Sequence, residues 1–240
     1  SIAAALNSIA QGVQIVRVGV YDRELSNLYG TLFDNEHLNL IDWLIYQCKL
    51  NDIYVYLTLM KYWSSPDEMP VSFSGSYAKE ELLYVPEAIS AEKRFVTQLL
   101  MRTNRYTNVK YAEETCIAVA EILNEPWYTT YEQLYDPQQV PDWQRTAQWE
   151  RNVNNLRSLF EDYCTAKRET ASRAQHELFR QQMVKSYINQ MVETIRAAGL
   201  NVPLVYNMFA YDMNTQSDIR DVQKGIAESA IDAVSIFQYL

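Results

Sequence analysis

The sequence predicts an α/β fold, a (β/α)8 barrel of which it carries about strands 2 to 6, and three observations predict it. Short apolar, β-branched runs alternate with segments of helical period along the whole 240 residues. Those runs are apolar on both faces, as strands of a parallel sheet covered by helices must be. Polar and aromatic residues cluster where the runs end, at Lys61-Tyr62-Trp63, Asn124-Glu125-Pro126-Trp127, Tyr206-Asn207 and Gln238-Tyr239. A barrel places its working residues at those strand ends. A doubly wound sheet is the other architecture open to alternating elements, but no GxGxxG or GxxxxGK[ST] follows any strand.

The elements follow in order. Residues 2 to 11 read as the tail of a helix closed by Gly12, and VQIVRVGV (13 to 20) as a strand. HLNLIDWLIYQCKL (37 to 50) has apolar residues at helical spacing, and DIYVYLTLMKYW (52 to 63) is the second strand. A loop from 64 to about 87 precedes a helix from about 90 to 105 and the strand ending at 124. Two long helices, 143 to 167 and 170 to 198, are closed by Gly199. Strand 202 to 209, a helix near 216 to 229 and strand 233 to 239 complete the series. A closed barrel has eight strands and five are found, so the chain is expected to be the middle piece of a longer barrel. It reads as one domain over residues 1–240, with a helical insertion at about 143–198. Its first residue is Ser rather than Met, which fits a chain that is processed, trimmed or cut from something longer.

Composition narrows the function. A formal charge of −9 argues against nucleic-acid partners, which need a basic face to displace counterions. No run of 18 apolar residues exists to span a membrane. Cys48, Cys116 and Cys164 are odd in number and widely spaced, so they read as small core hydrophobes. His37 and His176 fall on helices away from strand ends and are expected at surface or capping positions. No metal-ligand spacing occurs, and neither a metal nor a cofactor is expected.

The chemistry concentrates in IAVAEILNEPW, residues 117 to 127. Strand alternation puts Glu121, Leu123 and Glu125 on one face, with Glu121 deeper than Glu125. A buried carboxylate needs a partner, and Arg17 is the basic residue set within an apolar strand. Arg17 is therefore expected to meet Glu121 or to reach the strand-end cluster, with an outward, solvent-directed Arg17 as the alternative.

Asn124-Glu125-Pro126 at the end of an apolar strand resembles the fourth-strand motif of retaining (β/α)8 glycoside hydrolases of the cellulase and β-mannanase clan. The run LLMRTNRYTNVKYAEETCIAVAEILNEPW is similar to that family's helix, Arg-x-Asn turn, Tyr-Thr loop, Lys-Tyr pair and acidic strand. IVRVGV resembles the second strand with its Arg, and HLNLIDWLIYQCKLNDIYVYLTL the next helix and third strand. The similarity covers residues 1 to about 130 well and the remainder in outline.

The resemblance implies hydrolysis of β-linked glycans, mannan- or cellulose-like, by a retaining double displacement. Glu125 would be the catalytic acid/base, protonating the leaving oxygen and then activating water. Asn124 would hydrogen-bond the sugar 2-hydroxyl. Arg17, Trp63, Trp127, Asn207 and Tyr239 would complete the substrate-binding set, the indoles as stacking platforms. The nucleophile, a carboxylate from a seventh strand, is expected beyond residue 240. Two positions depart from the family pattern: Phe237 stands where a His is common before Tyr239, and the third strand ends in Lys61-Tyr62-Trp63 rather than near a His. The partner would be an oligo- or polysaccharide, and the parent protein would be secreted or periplasmic. A non-catalytic carbohydrate-binding or scaffold barrel is the alternative.

Overall fold

The computed structural model describes residues 12–62, 72–140, 145–209 and 216–237. Five strands, β1 (Ile15–Gly19), β2 (Tyr54–Met60), β3 (Ile117–Leu123), β4 (Leu204–Phe209) and β5 (Ala233–Phe237), form one parallel sheet in sequential order. Between them run α1 (Glu36–Leu50), α2 (Pro86–Met101), α3 (Ala147–Lys167), α4 (Arg173–Ala197) and α5 (Gln216–Ala227). Sequential order with a helical crossover at each step is the wiring of consecutive strands in a barrel.

Side-chain contacts show the sheet curling. Glu121 on β3 meets Arg17 on β1 and Ser235 on β5, each time with a strand lying between. Strands two apart in a flat sheet stand roughly 9.5 Å from one another, so these contacts need a concave face. The other face packs on helices. Val55, Leu57 and Leu59 of β2 are buried outward while Thr58 and Met60 are buried inward, which is why this strand reads as a continuous apolar run.

The helices begin where capping chemistry allows. Asn35 accepts from the Leu38 amide at 3.0 Å, Pro86 opens α2, and Thr146 and Ser172 cap α3 and α4. The expected loop from 64 to 87 contains two short helical turns, Phe73–Ser76 and Lys79–Leu83, too brief to register as a period. The Arg-x-Asn run is structural. Arg102 donates to Asp42 at 2.7 Å, the Asn104 amide to the Asp42 carbonyl at 2.8 Å, and the Tyr111 hydroxyl to Asp42 Oδ1 at 2.6 Å, tying the end of α2 to α1.

His176 corrects the sequence reading. It is 1 % exposed, edge-on to Phe160 at 5.1 Å and beside Phe179, because it lies on the face of α4 turned toward α3, while Ala174, Leu178 and Gln182 hold the solvent face. Burial pushes its pKa down to about 3, helped by the charges of Arg180 and Arg173. His37 is exposed on α1 as expected, and all three cysteines are buried and unpaired. Among the described residues no helix is long and apolar enough to cross a membrane. The expected helix at 2 to 11, and Trp63 and Tyr239, lie outside the described residues.

Candidate active site

Each of the five strands sends one or two polar side chains into the concave face. Arg17 donates through Nε to Thr58 Oγ1 at 2.9 Å and through Nη2 to both Glu121 Oε1 and, at 2.7 Å, Asn124 Oδ1. The outward alternative for Arg17 is thereby excluded. Glu121 is fully buried and also accepts from the Tyr56 hydroxyl at 2.7 Å and Ser235 Oγ at 3.2 Å. Burial, with Glu121 alongside, pushes the Tyr56 hydroxyl pKa up to about 12, so it stays a donor. Asn207 Nδ2 donates to Ser235 Oγ at 2.8 Å, and its Oδ1 accepts from the backbone N–H of Glu125 at 3.0 Å. One hydrogen-bonded chain thus runs from β1 to the amide of Glu125.

Alternation breaks at the end of β3. Glu121 and Asn124 share the Arg17 guanidinium although three positions apart, which a period of two forbids. The strand ends here in a turn: Glu125, whose φ of 47° is left-handed, redirects the chain and is followed by the buried Pro126. Proline disfavours the right-handed helical region for the residue before it, and the amide bond to Asn207 holds the turn. Asn124 is 3 % exposed, whereas Glu125 remains partly open to solvent at the strand end.

Two lysines flank this turn. Lys61, following β2, donates to Asn124 Oδ1 at 2.9 Å. Burial and then the Arg17 charge push its pKa down, while Glu125 and Glu121 oppose that shift. Lys79 lies over the Tyr62 ring, its nitrogen 5.4 Å from the centroid, and burial pulls its pKa down to about 8 against the pull of Glu125. The segment after the turn is clamped from behind. Glu80 accepts from the Thr129 amide at 2.8 Å, from its hydroxyl and from Asn152 at 3.0 Å, and Arg180 donates to the Thr129 carbonyl at 3.1 Å. Burial raises the Glu80 pKa. Trp127 projects from this segment, 45 % exposed.

Of the residues chosen from sequence, Arg17, Asn124, Glu125 and Asn207 are brought together, and Trp127 lies two residues on. Arg17 and Asn207 are committed to protein partners and act as scaffold for the turn. Sequence reasoning missed Tyr56, Thr58, Lys79 and Ser235, and saw Lys61 only as part of a polar strand end. Tyr56 and Thr58 carried a signal, because β1 and β2 pair Arg17 with Tyr56 and polar groups two apart share a face.

This geometry can present one partly exposed carboxylate and one oriented amide at the barrel mouth. No protein-family model and no curated protein sequence matches the chain. Solved structures do match its fold. An endo-1,4-beta-mannanase from Rhizomucor miehei superposes with a TM-score of 0.61 at 17% identity, over 99% of this chain and 61% of that one. The virulence factor SghA, solved with its substrate analog salicin, superposes with a TM-score of 0.50 at 17% identity, over 90% of this chain and 38% of that one. The chain therefore has the fold of part of a (β/α)8 barrel, and spans about three-fifths of the mannanase it resembles.

Proposed function

We propose that the chain is the acid/base-bearing portion of a retaining β-glycan hydrolase, mannan- or cellulose-like in substrate. The observation that carries this is the Asn124–Glu125 turn: a left-handed residue fixed through its amide by Asn207, beside an amide held by two cations, where a barrel presents its site. Glu125 protonates the glycosidic oxygen as the bond breaks and later takes a proton from the attacking water. Asn124 donates to the sugar 2-hydroxyl, a contact that strengthens as the ring gains oxocarbenium character. Trp127 offers a stacking face to an adjacent sugar.

Glu121 is not the nucleophile. It is fully buried beneath the site, with both oxygens engaged by Arg17, Tyr56 and Ser235, so neither oxygen faces the opening where an anomeric carbon would lie. The reading assigns that role to a carboxylate outside residues 1–240, about 5 Å from Glu125 as a retaining mechanism requires.

Glu125→Gln in the full-length protein tests the assignment on manno- and cello-oligosaccharides. Turnover should fall by a factor of about 10² to 10⁴ with oligosaccharide binding intact. An unchanged rate would remove Glu125 from the mechanism. Binding without turnover in the unmutated protein would instead support a non-catalytic glycan-binding barrel.

A further inference from the structure

We propose that Lys61 is the positioning residue for Asn124, and that the bare backbone at Gly19 is what lets its ammonium group reach the amide; the proposal rests on the hydrolase reading. The Lys61 amide donates to the Val20 carbonyl at 2.8 Å, which seats the residue beside the end of β1. A lysine there would ordinarily extend to water, the more so with the Arg17 guanidinium close by. Instead its stem lies across Gly19. A Cβ placed on Gly19 would stand 3.1 Å from Lys61 Cδ, 3.2 Å from Cγ and 3.5 Å from Cβ. The stem passes tightly over Gly19, so a Cβ would press on it and a branched side chain would displace it, and its nitrogen ends 2.9 Å from Asn124 Oδ1.

The consequence follows from counting lone pairs. An amide oxygen has two, and here Arg17 Nη2 and Lys61 Nζ take both. Turning the amide over would aim its own N–H groups at two cations, so the orientation is fixed. The group left to meet a ligand is Nδ2, a donor suited to the oxygen of a sugar hydroxyl. Arg17 alone holds the amide less firmly, because the same Nη2 also serves Glu121. Lys61 supplies the second point that stops the amide plane from rotating. A competing role is purely electrostatic: Lys61 attracts Glu125 and would then act on the acid/base without reference to Asn124.

The test compares wild type, Lys61→Met and Gly19→Val in the full-length protein, the last keeping the charge but filling the path of the stem. Each is assayed on an activated β-glycoside and on its 2-deoxy counterpart, which lacks the hydroxyl that Asn124 would meet. On the normal sugar both variants should lose about 10- to 100-fold in kcat with KM little changed and melting temperature preserved. On the 2-deoxy sugar wild type and Lys61→Met should agree within about threefold, because the contact being positioned is absent. Equal losses on both sugars would overturn the proposal in favour of the electrostatic role, and no loss on the normal sugar would overturn it outright. Failure of the hydrolase reading shows separately, as a wild type that binds but does not cleave. Binding of the normal and 2-deoxy sugars then replaces rate, with the same pattern expected in affinity and the same pattern refuting.

Discussion

Arg17→Met isolates what holds the concave face together. The substitution keeps the apolar stem and removes the guanidinium from Glu121, which is 0 % exposed in its side chain. Two neutral donors remain, Tyr56 at 2.7 Å and Ser235 at 3.2 Å, neither carrying a compensating charge. Breaking a buried ion pair from one side costs about 3–5 kcal/mol. The Arg17 side chain is 28 % exposed, so water can enter where it stood, and the low end, about 3 kcal/mol, is expected. Adding Glu121→Gln removes the stranded charge while keeping an acceptor for both hydroxyls. The double variant should then lie only about 1 kcal/mol below wild type, a coupling of about 2 kcal/mol or more. Urea unfolding reads this directly. With a slope of roughly 3 kcal/mol per M for a chain of this size, the single variant loses about 1 M in midpoint and the double about a third of that. A single variant costing under about 1 kcal/mol, or a double no more stable than the single, would refute the account of Glu121 as a charge that depends on Arg17.

Two further outcomes test the helical layer. Burial raises the Glu92 pKa to about 8, and the Tyr187 hydroxyl donates to its Oε1 at 2.7 Å. A carboxyl raised in the fold contributes stability that is complete below its ordinary value of 4.5 and is lost as pH climbs through about 8. Urea midpoints between about pH 5 and about pH 8.5 should therefore fall in wild type relative to Glu92→Gln, and parallel curves would contradict the buried-acid assignment. At the contact of α4 with α5, a Cβ on Gly225 would lie 2.3 Å from the Gln181 carbonyl oxygen. Gly225→Ala should destabilise by about 1–3 kcal/mol as the helices are forced apart, against the gain an alanine normally brings to a helix, and a rise in melting temperature would refute the close approach.

The order of elements was legible because its signals are periodic. Runs apolar on both faces announced a parallel sheet, and Gly199 with the long polar-apolar segments before it marked α3 and α4 within a few residues. The Arg17–Glu121 pairing was also within reach, since an arginine and a carboxylate inside apolar strands have few ways to be satisfied. What stayed hidden was set by single residues acting against the period. Alternation placed Asn124 opposite Glu121, yet both reach the Arg17 guanidinium where the strand gives way to a turn. His176 looked like a surface residue because helical spacing says which face a residue lies on, but not whether a second layer covers that face. Lys61 was visible as a polar strand end, yet its stem packs over Gly19 on the way to Asn124, a contact between residues 42 positions apart that no local pattern encodes.

Glu121 and Glu125 show why one strand can carry two carboxylates with different duties. Glu121 sits on the concave face, out of reach of water, and both its oxygens accept from donors on β1, β2 or β5. Its contribution is geometric: it draws Arg17 inward, and Arg17 in turn reaches Asn124. Glu125 stands four residues later on a left-handed backbone, a conformation costing about 1–2 kcal/mol for a residue with a side chain. Such strain persists only when the surroundings impose it, and here Asn207 takes the amide while Pro126 blocks the helical alternative. Relaxing the angle would redirect the Glu125 side chain and the chain after it, while Asn124 stayed on Arg17 and Lys61. The strain therefore does specific work: it sets the direction of the Glu125 carboxylate beside an amide that Arg17 and Lys61 already hold.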